Sequence, residues 1–176
     1  KEWPRDIELM EKAIPKFIDQ EKFASYMITV SAHTPYAYSS EMGDKYLKLF
    51  ENLDLPIATK RYLSKVKEAD LALEYLLKKL EEKEILDDTV LVIFGDHYPY
   101  GLGDDAYQEL TNYDVSINQE IDRTPFIIYN NGQEAQKITK ITTPLDYTPT
   151  ILNLFGIEYD PRYYMGNDVF SDYIDF

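Results

Sequence analysis

Apolar positions recur along this chain with two different periods. Ile7, Met10, Ala13 or Ile14, Phe17 and Ile18 fall at helical spacing and predict an amphipathic helix over 6–20, which Pro15 would kink or shorten. Tyr62, Val66, Ala69, Leu73, Leu76, Leu77 and Leu80 predict a long helix over about 57–83. Its other face carries Lys65, Lys67, Glu68, Lys78, Glu81 and Glu82, which reads as an ordinary solvated face. Residues 146–155 form a third helix, with Asp146 near its N-cap and Gly156 at its end. Residues 23–31, 89–94 and 124–129 read as strands, and 137–142 as a short edge strand. Pro125 is tolerated at a strand start.

Strand 23–31, helix 57–83 and strand 89–94 make a crossover unit, which predicts parallel strands joined by a right-handed connection. Segment 101–122 is polar and acidic and reads as an ordered surface loop with one helical turn, and the tail from 157 is rich in Tyr and Asp. No repeat or linker interrupts the pattern, so 1–176 reads as a single domain.

Composition narrows the partners. A net charge of −14 repels nucleic acid and anionic headgroups, so no nucleic acid is expected as a partner. An anionic substrate would need a metal or a few arginines. Cysteine is absent, which removes disulfides, thiolate zinc sites and a thiol nucleophile. No apolar run approaches the ~20 residues needed to cross a bilayer. The chain opens at Lys1 without an initiating methionine or a signal peptide, as a piece of a longer protein would.

The chemistry concentrates in Thr89-Val-Leu-Val-Ile-Phe-Gly-Asp-His97, an apolar strand that delivers a carboxylate and one of only two histidines to its carboxyl end. Open α/β sheets bind ligands at that edge. His33 lies two residues past the first strand, so parallel strands would bring both histidines to one crevice. Asp96 with His97 suits a divalent cation, Mn²⁺ or Zn²⁺ more than Ca²⁺. His33 could join the metal or hydrogen-bond an anionic substrate. A lone Gly-Asp-His also occurs as plain turn chemistry. Two ligands fall short of the usual three or four; Asp104, Asp105 and Glu109 could add to them, though acidic loop residues are ordinarily just solvated. No Ser or Thr sits in an obvious nucleophile turn.

Five ordered motifs, one of them in two parts, resemble the C-terminal part of the sulfatase-like catalytic domain of lipoteichoic acid synthases and related phosphoglycerol transferases, in the alkaline phosphatase superfamily. They are Trp3-Pro-Arg-Asp6 with its helix, Tyr26-Met-Ile-Thr-Val-Ser-Ala-His-Thr-Pro-Tyr36, Thr89 to Tyr98, the pair Arg123–Tyr129 and Thr143–Ile157, and Met165–Ser171. The resemblance implies an α/β, three-layer alkaline-phosphatase/sulfatase-like sheet, predominantly parallel, with helices on both faces, of which this chain is a partial domain lacking the N-terminal half. It implies one divalent cation, typically Mn²⁺ (Mg²⁺ or Zn²⁺ being the alternatives), held by a Glu, a nucleophilic Thr, Asp96 and His97, with His33 contacting substrate. The Glu and the Thr would precede Lys1, so no catalytic nucleophile lies in this chain. Pro99 stands where the family commonly has Gly.

The implied reaction moves glycerophosphate from a lipid donor through a covalent Thr intermediate at the extracellular face of a bacterial plasma membrane, during cell-wall polymer synthesis. The parent would be anchored by upstream membrane helices, while this soluble fragment alone would be inactive. The substrate would be anionic and phospholipid-derived, or otherwise phosphorylated or sulfated. A sulfatase or another phosphoesterase of the superfamily is the rival enzyme, and an acidic α/β binding module the rival without catalysis. A truncated sheet would also leave an apolar face or strand edge bare, a route to self-association.

Overall fold

The computed structural model describes residues 5–172. Trp3 and Pro4 of the first motif, and the last residues of the tail, lie outside the described residues. The chain divides into two compact units, Lys1–Gly132 and Gln133–Phe176.

The first unit opens with helix α1, Asp6–Ala13, followed by a 3-10 turn over Ile14–Lys16. The helix predicted over 6–20 therefore stops early, because Pro15 has no N–H to continue the ladder. A four-residue helix α2, Glu41–Asp44, precedes the 26-residue α3, Ile57–Glu82. Strand β1 is Val90–Phe94, α4 is Asp104–Gln108, and β2 is Phe126–Asn130. The segment between β1 and β2 thus holds one short helix with 3-10 turns at its two ends, close to the expected loop with one helical turn.

The core of this unit lies between α1 and α3. Met10, Ile14, Phe17 and Ile18 pack on Ala72, Leu76 and Leu80, with Leu91 of β1 against the edge. Each large side chain buried there contributes about 1.5–3 kcal/mol. The opposite face of α3 departs from the sequence reading. Lys65 and Glu68 are not on a solvated face: Lys65 is 7% exposed and Glu68 fully buried. Glu68 Oε2 takes Lys45 Nζ at 2.8 Å and the Tyr46 hydroxyl at 2.7 Å. Segment 41–50 folds over that face, and Ser64 pins it by accepting from the Tyr46 N–H and donating to the Met42 carbonyl.

The sheet also differs. β1 pairs with β2 antiparallel, in register from Val90↔Asn130 to Phe94↔Phe126. Gly95 N–H extends the ladder to the Pro125 carbonyl. Residues 23–30 form no strand, and Tyr26 and Ile28 are largely exposed. The parallel pair of 23–31 with 89–94 is accordingly not made among the described residues. The alternating pattern suits a pleated chain, but a strand exists only with a hydrogen-bonded neighbour. Tyr26 nonetheless lies over Phe94, ring centroids 6.4 Å apart, so this segment stays beside β1.

In the second unit, residues 137–142 are irregular rather than an edge strand, again without a ladder partner among the described residues, and Ile141 is exposed. Helix α5 is Tyr147–Leu154, entered through a 3-10 turn over Pro144–Asp146. Asp146 stands at the N-cap position of α5, as expected, but its side chain makes no cap hydrogen bond to that helix. It is the far member of a capping box begun by Thr143, whose N–H it accepts at 2.7 Å, and it also takes the Asn167 N–H at 2.7 Å. Gly156, at φ +62°, ends the helix in the left-handed region that glycine tolerates. Among the described residues no helix is long and apolar enough to cross a membrane.

Candidate functional site

Gly95 follows the last residue of β1, and Asp96 and His97 emerge immediately after it. A Cβ built on Gly95 would stand 3.1 Å from Thr124 Cβ and 3.4 Å from Pro125 Cδ, so the start of β2 closes on the strand end and glycine fits the gap. Asp96 leaves this constriction with its side chain 83% exposed, and His97 is 43% exposed.

The His97 ring is held from both sides. Its Nδ1 lies 2.8 Å from the Tyr98 carbonyl, and Tyr100 stacks beside it at 4.8 Å between centroids. A carbonyl only accepts, so Nδ1 carries a proton, and in the neutral ring the lone pair is on Nε2. Nε2 is turned towards Asp96, 3.7 Å from Oδ1. An imidazole nitrogen anchored through its other N–H, next to a free carboxylate, is the donor arrangement that divalent metals use. The chemistry of these two donors therefore fits a cation. Two donors are all that gather here: among the described residues no group of three or more His, Asp or Glu side chains could hold a metal. Asp104 and Asp105 begin α4, exposed, and with Glu109 do not complete such a group.

His33 is exposed on the turn after segment 23–30. Its Nδ1 lies 2.9 Å from the Thr34 carbonyl, so it too presents Nε2 outward. This turn is tied down from three directions. Asp6, buried at the start of α1, accepts the N–H groups of Val30 at 2.8 Å and Ser31 at 3.1 Å, while its own N–H donates to Ser31 Oγ at 3.0 Å. Buried Tyr36 donates to the Ala32 carbonyl at 2.9 Å, and burial pushes its phenol well above the ordinary tyrosine range. Lys65 Nζ donates to the carbonyls of His33 at 2.8 Å and Pro35 at 3.1 Å.

The turn carrying His33 and the loop carrying His97 meet at Gly101. A Cβ there would lie 2.6 Å from Thr34 Oγ1 and 3.1 Å from Tyr36 Cε2. Tyr100, one residue earlier, is the ring against His97. Both histidines are thereby on adjoining loops, although 23–30 and β1 do not pair. A separate cavity of about 690 Å³, which neither histidine lines, is bounded by Tyr62 and Val66 of α3, Tyr107 and Tyr113, and Arg123 to Pro125. Arg123 sits over the Tyr113 ring at 5.0 Å and pairs with Glu120 at 3.0 Å. Burial pushes the Tyr107 phenol upward.

Sequence reasoning missed Asp6, Lys65 and Tyr36. Lys65 and Glu68 share a turn of α3 with Ser64, and a small Ser on the helical face between Arg61 and Glu68 was the available signal that something packs on that face.

Residues 3–157 match the family described as Sulfatase, and the chain belongs to that family. It is 30% identical over 182 residues to a lipoteichoic acid synthase-like protein, YvgJ, of Bacillus subtilis, covering 95% of this chain and 28% of that protein. It is 30% identical over 160 residues to the lipoteichoic acid synthase of Staphylococcus saprophyticus, covering 87% of this chain and 24% of that one. The crystal structure of the lipoteichoic acid synthase LtaP from Listeria monocytogenes superposes with a TM-score of 0.70 at 27% identity, covering 94% of this chain and 42% of that one. The fold is therefore the sulfatase/alkaline-phosphatase-like α/β fold, of which these helices and this small sheet form part. The chain spans about a quarter of the length of the curated relatives it matches.

Proposed function

We propose that this chain supplies part of the active centre of a metal-dependent phosphoglycerol transferase of the lipoteichoic acid synthase kind. Asp96 and His97 contribute half of the shell of a divalent cation, Mn²⁺ in the first instance, with Mg²⁺ or Zn²⁺ as alternatives. One observation carries the reading: the Tyr98 carbonyl fixes His97 with Nε2 turned to Asp96 Oδ1, 3.7 Å away. When bound, such a cation neutralises phosphate charge and makes a nearby hydroxyl acidic. His33, held by its backbone and open to solvent, acts in its protonated form, donating Nε2–H to a phosphate oxygen or handing that proton to the departing oxygen. The substrate is an anionic glycerophospholipid, and its glycerophosphate passes through a covalent intermediate on a threonine outside this chain. The parent works at the outer face of a bacterial plasma membrane, anchored by membrane helices.

The resemblance to lipoteichoic acid synthases favours transfer. The sulfatase family match keeps one second reading, hydrolysis of a sulfate or phosphate ester at the same centre. Two measurements test the proposal. Mn²⁺ should raise the melting temperature of the protein, and the rise should vanish in Asp96→Ala and His97→Ala. The protein with its threonine in place should release diacylglycerol from a glycerophospholipid, whereas residues 1–176 alone should turn over nothing. Hydrolysis of a sulfate ester without diacylglycerol release would transfer the assignment to the second reading. Turnover by residues 1–176 alone would reject a nucleophile outside the chain.

A further inference from the structure

The geometry points to Lys65 as the residue that positions His33 and selects its tautomer. This rests on the reading of His33 as a phosphate-facing group. Lys65 arises from α3, is 7% exposed, and reaches across to the turn. Its ammonium takes the carbonyls of His33 at 2.8 Å and Pro35 at 3.1 Å, and lies 5.6 Å from the Tyr36 ring centroid. The carbonyl between them, that of Thr34, meets His33 Nδ1 at 2.9 Å. Three successive carbonyls are thus divided: the outer two face the lysine, and the middle one faces the imidazole. Lys65 thus holds the carbonyls on either side of Thr34, and with them the place from which the Thr34 carbonyl meets Nδ1.

The consequence is chemical. With Nδ1–H committed to Thr34, Nε2 is the nitrogen turned to substrate, and in the protonated ring its N–H donates to a phosphate oxygen. Lys65 does not touch substrate, so it is a positioning residue and acts through the backbone of His33. A buried ammonium also needs acceptors of this kind, since its charge has left water, and these carbonyls are held in place by that need.

The chain has two histidines, and His97 serves as an internal control. The test is ¹⁵N NMR of both imidazoles in the protein, with titration by glycerol 1-phosphate. In the unaltered protein neutral His33 should be the Nδ1–H tautomer, and its signals should move on titration. In Lys65→Met the Nδ1–H preference of His33 should fall, and glycerol 1-phosphate should bind at least tenfold more weakly. The His97 tautomer should stay unchanged. Lys65→Gln keeps one donor and should fall between the two, which preserves the test if the methionine variant does not fold. A His33 that responds to glycerol 1-phosphate but keeps tautomer and affinity in both variants would overturn the role of Lys65 alone. A His33 that ignores glycerol 1-phosphate in the unaltered protein would overturn the reading beneath it.

Discussion

Replacing Asp6 by alanine should loosen the candidate site from a distance. Asp6 is 1% exposed, and its Oδ1 accepts the N–H groups of Val30 and Ser31 at 2.8 and 3.1 Å. Hydrogen bonds to a charged group are worth about 1.5–3 kcal/mol each, so two are worth roughly 4 kcal/mol. Against this, the carboxylate is buried with Oδ2 unpartnered, and removing that desolvated oxygen returns about 1 kcal/mol. The net loss is about 3 kcal/mol, or roughly 6–12 °C in melting temperature for a chain of this size. Asp6→Asn keeps an accepting oxygen for both N–H groups and gives the second position a donor, so it should cost about 1 kcal/mol or less. Thermal and urea unfolding followed by circular dichroism read both variants. Equal losses in Asp6→Ala and Asp6→Asn would refute the reasoning, because they would show that the oxygen accepting from residues 30 and 31 contributes nothing.

Three further outcomes are expected. Leu80→Ala empties a position 1% exposed at the centre of the α1–α3 core and should cost about 3 kcal/mol by urea unfolding. Gly101→Ala drives a methyl against Thr34 and Tyr36; it should destabilise by about 1–3 kcal/mol and shift the NMR signals of both His33 and His97, since it presses the two loops apart. Asp44 accepts from Ser39 and from Arg61 at 2.7 Å, and these bonds hold its carboxyl below the usual range. A depressed folded value means stability that is present above the unfolded carboxyl range and lost as pH falls through the folded value. Asp44→Asn should therefore flatten the acid limb of the melting temperature against pH profile.

Local signals in the sequence were faithful where the cause was local. The stripe from Tyr62 to Leu80 placed α3 within a residue of Ile57–Glu82, and the apolar run ending at Phe94 placed β1. The carboxyl end of that strand was rightly read as the point from which Asp96 and His97 emerge. Non-local facts were not legible. Residues 23–30 alternate as a strand should, yet a ladder depends on a neighbour, and the pairing of β1 with β2 is set by which segments close on it. Burial of Lys65 and Glu68 was hidden for the same reason, because their covering segments lie at 33–36 and 45–46. His33 and His97 were expected together through parallel strands; they adjoin instead through the contact of Gly101 with Thr34.

The central claim is that Asp96 and His97 bind a divalent cation next to His33. Mn²⁺ is paramagnetic and broadens the NMR signals of nearby nuclei, so titration with Mn²⁺ while both imidazoles are observed tests it directly. The account predicts that His97 broadens first, that His33 broadens with it to a lesser degree, and that Asp96→Ala abolishes both effects. Broadening of His97 with His33 untouched, or equal broadening in Asp96→Ala, would contradict it.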